Sequence, residues 1–330
     1  MKPDMERYLS REHVTLPFHE KRLLRDIWGD APGVSDEFGK IRMVMMHRPG
    51  QEVLQLHEKG RDIKPRTIAA EQTHMKGTTP EAIKPPATPD LNVLLSQFDA
   101  LQRVLKDEGI TIIPLEGRSD FWPERLYCRD LGMAIPGGVI LTRLALALRY
   151  GETPLAMQTI SKHNVPIIGM IQGSGFAEGG NFMMLDPSTA IIGRTERTNT
   201  EGIEQVRHLL ALRDIQLLVV DLPSSIIHLD EAFLMLDRKL ALVHTALLPY
   251  WFLIELHLRG IELIHVDPRD PPLTINALTV APGRVLMSSD GERTIKLLES
   301  QGVTAIPVEV NEIYKLGGGL HCLALPLIRD

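Results

Sequence analysis

The feature that most limits the fold of this chain is a sequence unit that recurs about every fifty residues. Each unit has two short apolar segments joined by a turn, then an amphipathic segment with helical spacing, then one more apolar segment. We predict hairpins at GMAIPGGVILTRL, NFMMLDPSTAIIGRT, AFLMLDRKLALVHT, LTVAPGRVLMSS and HCLALPLI. Such a period predicts a propeller or a ring of ββαβ modules, and the helical segments argue against a pure β-propeller.

The segments between the hairpins follow the same pattern. The predicted helices are TPLAMQTISKHN, TEGIEQVRHLLALR, LPYWFLIELHLRG and GERTIKLLESQG, and the strands after them are VPIIGMI, IQLLVVDL, IELIHVD and VTAIPVEV. Nearer the start, residues 41–50 predict a strand, and Asp90 is a plausible N-cap for a helix that Gly109 ends before the strand ITIIPL. The chain is therefore predicted to be α/β throughout.

The chain divides into a short extension and one large domain. Residues 1–38 are charged and irregular, and we assign residues 39–330 to a single domain. Residues 51–89 include the Pro- and Thr-rich run TTPEAIKPPATPD, which predicts a long loop or lid. A chain of 330 residues is long enough to bury a sizeable core.

Composition and charge exclude several classes of protein. With 36 Lys and Arg against 42 Asp and Glu, the net charge of −6 provides no basic field for a nucleic acid. The two cysteines, Cys128 and Cys322, are too few for a disulfide framework or a cysteine-based zinc site. The N-terminus is too polar for a signal peptide, and no apolar run approaches ~18 residues. We expect a cytoplasmic protein that binds neither nucleic acid nor a membrane.

Short polar segments interrupt the apolar strands at equivalent points of the repeat. They are CRD at 128–130, EGGN at 178–181, HLD at 228–230 and GGGLHC at 317–322. Each segment is a weak signal alone, because an isolated cysteine usually packs and a glycine run usually makes a turn. A ring of similar units would bring all four segments to one central pocket.

Together these segments supply a thiol, an imidazole and three carboxylates, a set that suits nucleophilic attack on a cationic carbon. A guanidinium stays protonated and presents a planar fork of donors that Asp130, Glu178 and Asp230 can match. The same cation lowers the pKa of a nearby thiol, so thiolate attack becomes feasible at neutral pH. His228 can donate a proton to the departing amine and then activate water.

These motifs resemble those of the guanidino-modifying pentein superfamily and are closest to arginine deiminase. The segments that carry the resemblance are CRD, FAEGGN, ERTNTEGIEQV, HLDEAFLMLD and GGGLHCLALPLIRD, and the similarity extends from Gly39 to the end. The resemblance implies a five-fold pseudo-symmetric α/β propeller with the substrate in its central channel. It also implies that neither a metal nor an organic cofactor takes part.

The resemblance assigns a catalytic role to five residues. Cys322 corresponds to the nucleophile of the superfamily, His228 to its general acid/base, and Glu178 to the carboxylate beside that histidine. Asp130 and Asp230 correspond to the pair of carboxylates that clamps the guanidinium.

The resemblance also suggests residues that bind the rest of the substrate. Arg197, in the ERTN segment, matches a position that helps to hold the substrate carboxylate in deiminases, and Arg143 and Arg149 are further candidates. Asn181 stands where deiminases usually carry the acid of EGGD, which removes one negative charge near a cationic substrate. This departure could retune the substrate or the reaction.

The resemblance implies a hydrolase that acts on a small guanidino compound. A covalent S-alkylthiouronium on Cys322 would expel ammonia or an amine and release a ureido product such as citrulline. An amidinotransferase, in which an amine replaces water as the acceptor, is the main alternative. Two further alternatives are an arginine dihydrolase that yields ornithine and a non-catalytic, ribosome-binding pentein. The sequence leaves open whether the chain forms a homo-oligomer.

Overall fold

The strands of the protein form five small sheets of three strands each. The structure is a computed structural model that describes residues 16–55, 88–117 and 122–330. In every sheet the central strand pairs antiparallel with one neighbour and parallel with the other. The five sheets therefore share one topology.

The strands and helices of the described residues have the following bounds. The strands are β1 Ile41–Met46, β2 Thr111–Pro114, β3 Gly132–Ile135, β4 Gly138–Leu141, β5 Ile167–Met170, β6 Phe182–Asp186, β7 Thr189–Arg194, β8 Gln216–Asp221, β9 Phe233–Asp237, β10 Leu240–Val243, β11 Glu262–His265, β12 Leu278–Ala281, β13 Arg284–Ser288, β14 Thr304–Val308 and β15 Leu325–Arg329. The helices are α1 Lys21–Trp28, α2 Leu91–Asp107, α3 Glu152–Lys162, α4 Thr200–Ala211, α5 Tyr250–Leu258, α6 Glu292–Ser300, α7 Asn311–Tyr314 and α8 Leu320–Leu323. Single 3₁₀ turns lie at Gln51–Leu54, Cys128–Leu131, Ala147–Arg149, Gly179–Asn181, Leu229–Glu231, Thr245–Leu247 and Pro272–Ile275.

Four of the sheets are each built from one continuous stretch of chain. They are β3–β4–β5, β6–β7–β8, β9–β10–β11 and β12–β13–β14. In each of them a hairpin supplies the antiparallel pair, and one helix of the series α3 to α6 connects the second strand to the third. Parallel neighbours need such a crossover connection, because a tight turn joins only antiparallel strands. The ββαβ units predicted for these four stretches are confirmed.

The fifth sheet joins the beginning of the described chain to its end. β15 pairs antiparallel with β1, and β1 pairs parallel with β2 after the helix α2. The prediction of a hairpin at HCLALPLI is wrong, because residues 320–323 form a helical turn and only the rest forms a strand. The antiparallel partner of that strand lies at the other end of the sequence, where no local turn signal can reveal it.

Helix α2 shows how local sequence determines these elements. The side chain of Asp90 accepts hydrogen bonds from the backbone N–H groups of Asn92 and Val93, which confirms the predicted N-cap. Leu94, Phe98, Leu101 and Leu105 recur at helical spacing and are buried. No helix in the described ranges is long and apolar enough to cross a membrane.

A one-turn helix precedes one strand of each sheet, namely β3, β6, β9, β12 and β15, which is the strand that pairs antiparallel with the central strand. These five ring turns are Cys128–Leu131, Gly179–Asn181, Leu229–Glu231, Pro272–Ile275 and Leu320–Leu323. The first four contact one another in chain order, and the fifth contacts the first. Asn276, just after the fourth turn, accepts a hydrogen bond from the backbone N–H of His321 in the fifth. The contacts among the ring turns therefore close on themselves.

The described part of the N-terminal extension packs against the large domain. The N–H of Gly33 donates to the carbonyl of Leu327, and Glu37 is buried. The φ of Gly33 is +116°, and a Cβ there would lie 2.2 Å from the Ile135 carbonyl oxygen, so the close approach requires glycine. The boundary at residue 38 stays a prediction. Most of the predicted loop or lid at 51–89 lies outside the described residues.

Candidate active site

A small cavity of about 80 Å³ lies against the ring turns. The ionisable side chains on its wall are Glu124, Tyr127, Asp130, Arg149, Arg197, His228, Glu231 and Cys322. Asp130, Glu231 and Cys322 come from the first, third and fifth ring turns, and His228 immediately precedes the third. The closed set of turns therefore brings the CRD, HLD and GGGLHC segments to one site.

Cys322 is buried beside two polar side chains. Its Sγ lies 3.8 Å from Oδ2 of Asp230 and 3.4 Å from Oδ1 of Asn276. Burial, together with the negative charges of Asp230 and Asp130, raises the pKa of the Cys322 thiol well above its usual range. The sulfur therefore keeps its proton while no cation occupies the cavity.

His228 lies between two carboxylates. Its Nε2 lies 2.8 Å from Oε2 of Glu178 and 3.7 Å from Oδ1 of Asp130. Burial alone lowers the pKa of an imidazole, but Asp130 and Glu178 more than offset it and raise the pKa of His228 to about 9. His228 is therefore an imidazolium at neutral pH, as a proton donor to a departing amine must be.

Asp130 is held in place by Arg149. Nη1 of Arg149 donates to Oδ2 of Asp130 at 2.6 Å, and the backbone N–H of Gly180 donates to Oδ1 at 3.2 Å. The guanidinium of Arg149 also pairs with Glu152 at 2.8 Å. Arg149 was a candidate for the substrate carboxylate, but its donors are directed at these protein carboxylates. Arg149 therefore orients Asp130.

Arg197 lies on the cavity wall with unused hydrogen-bonding capacity. Its Nη1 lies 3.5 Å from Oε2 of Glu178, and its Nε is 3.9 Å from a carboxylate oxygen of Glu196. The buried Nε has no hydrogen-bond partner among the described residues. A buried donor without a partner is costly, so a ligand carboxylate at this position would be favoured.

The structure does not bring Asn181 and Arg143 to the cavity wall. The side chain of Asn181 donates to two threonine hydroxyls and to the carbonyl of Ile227, and it accepts from the N–H of Leu229 at 3.0 Å. An amide can donate and accept at once, whereas an ionised aspartate could only accept, and the neutral Asn181 thereby connects the second and third ring turns. Arg143 donates to the carbonyl of Gly175 and stacks over the ring of Tyr150 at 5.3 Å.

Asp230 lies beside the sulfur of Cys322 but does not line the cavity. Its Oδ2 accepts from Nδ1 of His321 at 2.8 Å, and its buried Oδ1 has no partner among the described residues. Nε2 of His321 lies 3.9 Å from Oε2 of Glu37. The other oxygen of Glu37, Oε1, pairs with Nη2 of Arg129 at 2.8 Å. A line of buried ionisable groups thus extends from the N-terminal segment to Cys322.

Three of these side chains have the spacing of a metal site. Donor atoms of Asp130, Glu178 and His228 all lie within 4.8 Å of one another, and no other such group occurs in the ranges that the structure describes. Glu178 is hydrogen-bonded to His228, however, and Asp130 accepts a hydrogen bond from Arg149. The three groups satisfy one another, an arrangement that suits proton transfer better than cation binding.

Most of the sequence matches the model of one family of enzymes. A family model described as N,N dimethylarginine dimethylhydrolase, eukaryotic, matches residues 64–329. The chain belongs to the dimethylarginine dimethylhydrolase family. This membership confirms the resemblance to the pentein superfamily that the motifs indicate.

Relatives of this dimethylarginine dimethylhydrolase family member include proteins with other names. An arginine deiminase from Borrelia recurrentis (strain A1) is 27% identical over 275 residues, which cover 70% of this chain and 66% of that relative. A mutant DDAH from Pseudomonas aeruginosa, complexed with citrulline, has a TM-score of 0.69 at 21% identity and covers 87% of this chain and 99% of its own. SxtG, an amidinotransferase from Microseira wollei, has a TM-score of 0.69 at 15% identity, and the match covers 90% of this chain and 97% of SxtG. At these identities the structural likeness shows the fold alone.

Sequence reasoning missed several polar residues of this dimethylarginine dimethylhydrolase family member. Asn276, whose Oδ1 also accepts from the backbone N–H of Cys322, follows the fourth ring turn at the position where the other units carry polar segments. The repeat was the signal that could have found it. His321 lies inside GGGLHC and Glu231 inside HLDEAFLMLD, but neither was assigned a role in the site, and nothing in the charged N-terminal stretch distinguishes Glu37 from its neighbours.

Proposed function

We propose that this protein is a hydrolase that acts on the guanidino group of arginine or a related compound and releases a ureido product. The observation that carries the proposal is the single cavity on whose wall Cys322, His228 and Asp130 meet. Family membership supports a guanidino substrate, and the neighbouring DDAH structure with citrulline supports a ureido product.

The acids of the site suit a planar cation. Asp130 lines the cavity, and Asp230, whose Oδ2 lies 3.8 Å from the sulfur of Cys322, keeps a buried Oδ1 with no partner among the described residues. We assign these two carboxylates to the N–H groups of a guanidinium. Arg197 is the one arginine on the wall with a buried N–H that lacks a partner among the described residues. We assign it to the carboxylate at the far end of the substrate.

The substrate itself activates the nucleophile. In the free enzyme burial and the negative charges of Asp230 and Asp130 raise the pKa of Cys322, so the thiol holds its proton. A guanidinium beside the sulfur reverses the local field and lowers the pKa of the thiol, so the proton leaves to solvent as the substrate binds. The thiolate then attacks the guanidinium carbon and forms the S–C bond.

His228 transfers the protons of both half-reactions. The imidazolium donates a proton to the departing nitrogen, the C–N bond breaks, and ammonia leaves a thiouronium on Cys322. The neutral imidazole then takes a proton from water, and the hydroxide adds to the thiouronium carbon. Cleavage of the S–C bond releases the ureido product and restores the sulfur. Glu178 keeps the ring of His228 oriented through its 2.8 Å hydrogen bond.

We further propose that the five sheets form one five-fold pseudo-symmetric α/β propeller around the cavity, within a single catalytic domain at residues 39–330. The shared topology of the sheets and the closed contacts of the ring turns support this arrangement.

A substrate panel tests the proposed activity. Purified enzyme is incubated with arginine, methylated arginines and agmatine, each with and without glycine or lysine, and products are identified by mass spectrometry. We expect a ureido product and ammonia or a methylamine without any added amine, and no turnover by Cys322→Ala. Product formed only with an amine would identify an amidinotransferase, and ornithine as the sole product would identify a dihydrolase.

A further inference from the structure

Glu231 is a buried carboxylate of the cavity that the proposed reaction does not use. Its Oε1 accepts from the backbone N–H groups of Ile227 at 3.1 Å and His228 at 3.0 Å. Its Oε2 is buried and has no hydrogen-bond partner among the described residues. Half of this carboxylate is therefore fixed by the protein, while the other half is unsatisfied beside a substrate cavity.

Glu231 lies on the side of the cavity where the departing nitrogen of the guanidinium would lie. It lies on the same wall as His228 and Cys322 and is tied to the backbone of His228 itself. His228 is the group that protonates the departing nitrogen, so that nitrogen must approach this part of the wall. Burial raises the pKa of Glu231 to about 8, and a bound cation would favour its ionised form.

We propose that Glu231 is a specificity-determining residue whose Oε2 accepts a hydrogen bond from an N–H of the departing nitrogen. The inference rests on the proposed guanidine hydrolysis and names its substrate class, guanidines with an unsubstituted terminal nitrogen. An N,N-dimethylated nitrogen carries no N–H, so its methyl groups would leave Oε2 buried and unpaired. A site built to accept a hydrogen bond rejects an analogue that lacks the donor.

Glu231→Gln tests the proposal with little change of shape. The amide oxygen can still accept from the two backbone N–H groups, while the NH₂ group replaces Oε2 and points a donor at the substrate donors. We expect kcat/KM for arginine to fall about tenfold or more relative to kcat/KM for N,N-dimethylarginine. Glu312→Gln, which also replaces a buried carboxylate but lies outside the cavity wall, is the matched control and should leave this ratio unchanged.

The wild-type enzyme provides a second test that does not depend on a variant folding. N-monomethylarginine keeps one N–H on its substituted nitrogen, so its kcat/KM should lie between those of arginine and N,N-dimethylarginine. A wild-type preference for the dimethylated substrate, or an equal ratio in Glu231→Gln, would overturn the inference while leaving guanidine hydrolysis intact. A wild-type enzyme that turns over no guanidine would instead refute the proposed function.

Discussion

Cys322 and His228 both hold their protons more strongly than a free thiol and a free imidazole. Burial and nearby acids raise the pKa of the Cys322 thiol, whereas nearby acids raise the pKa of His228 against the effect of burial. The resting pair is therefore a thiol and an imidazolium, which cannot attack a carbon until a cation enters. This arrangement restricts the reactivity of the sulfur to cationic ligands.

The reactivity of Cys322 toward two alkylating agents of similar size tests this restriction. Cationic chloroacetamidine should alkylate Cys322 at pH 7.5 at least about tenfold faster than neutral chloroacetamide, after each rate is divided by the rate with a small thiol. The rate with chloroacetamide should rise with pH above the usual thiol pKa of about 8.5. Peptide mass mapping separates Cys128, which is buried and has a raised pKa. Equal corrected rates would contradict the prediction.

The hydrogen bond between Glu178 and His228 predicts a pH effect. Catalysis needs the imidazolium, so activity should fall as pH rises through about 9. Glu178→Gln removes a charge that holds this proton, and the alkaline limb of kcat/KM, which reports the free enzyme, should move down by about one pH unit. The pH profile of kcat/KM in both proteins measures the shift. An alkaline limb at the same pH in Glu178→Gln would show that Glu178 does not hold the proton.

Protonation of His228 also links pH to stability. Its pKa is about 9 in the folded chain against 6.5 ordinarily, so the charged form stabilises the fold. That contribution is fully present below pH 6.5 and is lost as pH rises to about 9.

At the scale of elements, the N-terminal segment supplies a charge that the domain core requires. Glu37 is buried and pairs with Arg129 at 2.8 Å and with Arg329, on β15, at 3.6 Å. Burial raises the pKa of Glu37, but Arg129 and His321 outweigh it, and the pKa lies well below the usual range. The segment before β1 is therefore joined to the last strand by charge as well as by backbone hydrogen bonds.

Glu37→Gln should lower the free energy of unfolding by about 3 kcal/mol, because it leaves two buried guanidinium groups without their counter-charge. Chemical denaturation at pH 7 measures the change. Glu116→Gln, which removes an exposed ion pair with Lys162, is the control and should cost less than about 1 kcal/mol. Equal losses of unfolding free energy in the two variants would show that the buried ion pair stabilises the fold no more than the exposed one.

At the scale of the whole molecule, the elements that local signals determine could be predicted. The Asp90 cap and the four hairpins each depend on residues close together in sequence, and the structure confirms them. The pairing of β15 with β1 could not be predicted, because strand pairing across the whole chain leaves no local signal. The repeat predicted that all four polar segments would meet at one pocket. CRD, HLD and GGGLHC do so, whereas EGGN lies off the cavity wall and reaches the site through the hydrogen bond from Glu178 to His228.

The direction of individual side chains could not be predicted in the same way. A charged or polar residue near a motif can face the substrate or another part of the protein. Arg143 donates to the carbonyl of Gly175, and Asn181 donates to the carbonyl of Ile227, because partners distant in sequence satisfy their donors. The role of Glu37 was equally hidden, since both of its arginine partners lie far along the chain.

The most direct test of the account is the intact mass of the enzyme after acid quenching during turnover of arginine. We predict an adduct on Cys322 with the mass of arginine less ammonia, absent from Cys322→Ala. An adduct that carries only the amidino group would show a transferase-type cleavage in which the amino-acid chain leaves first. No adduct on Cys322 under turnover, or turnover that survives Cys322→Ala, would contradict nucleophilic catalysis by this thiol.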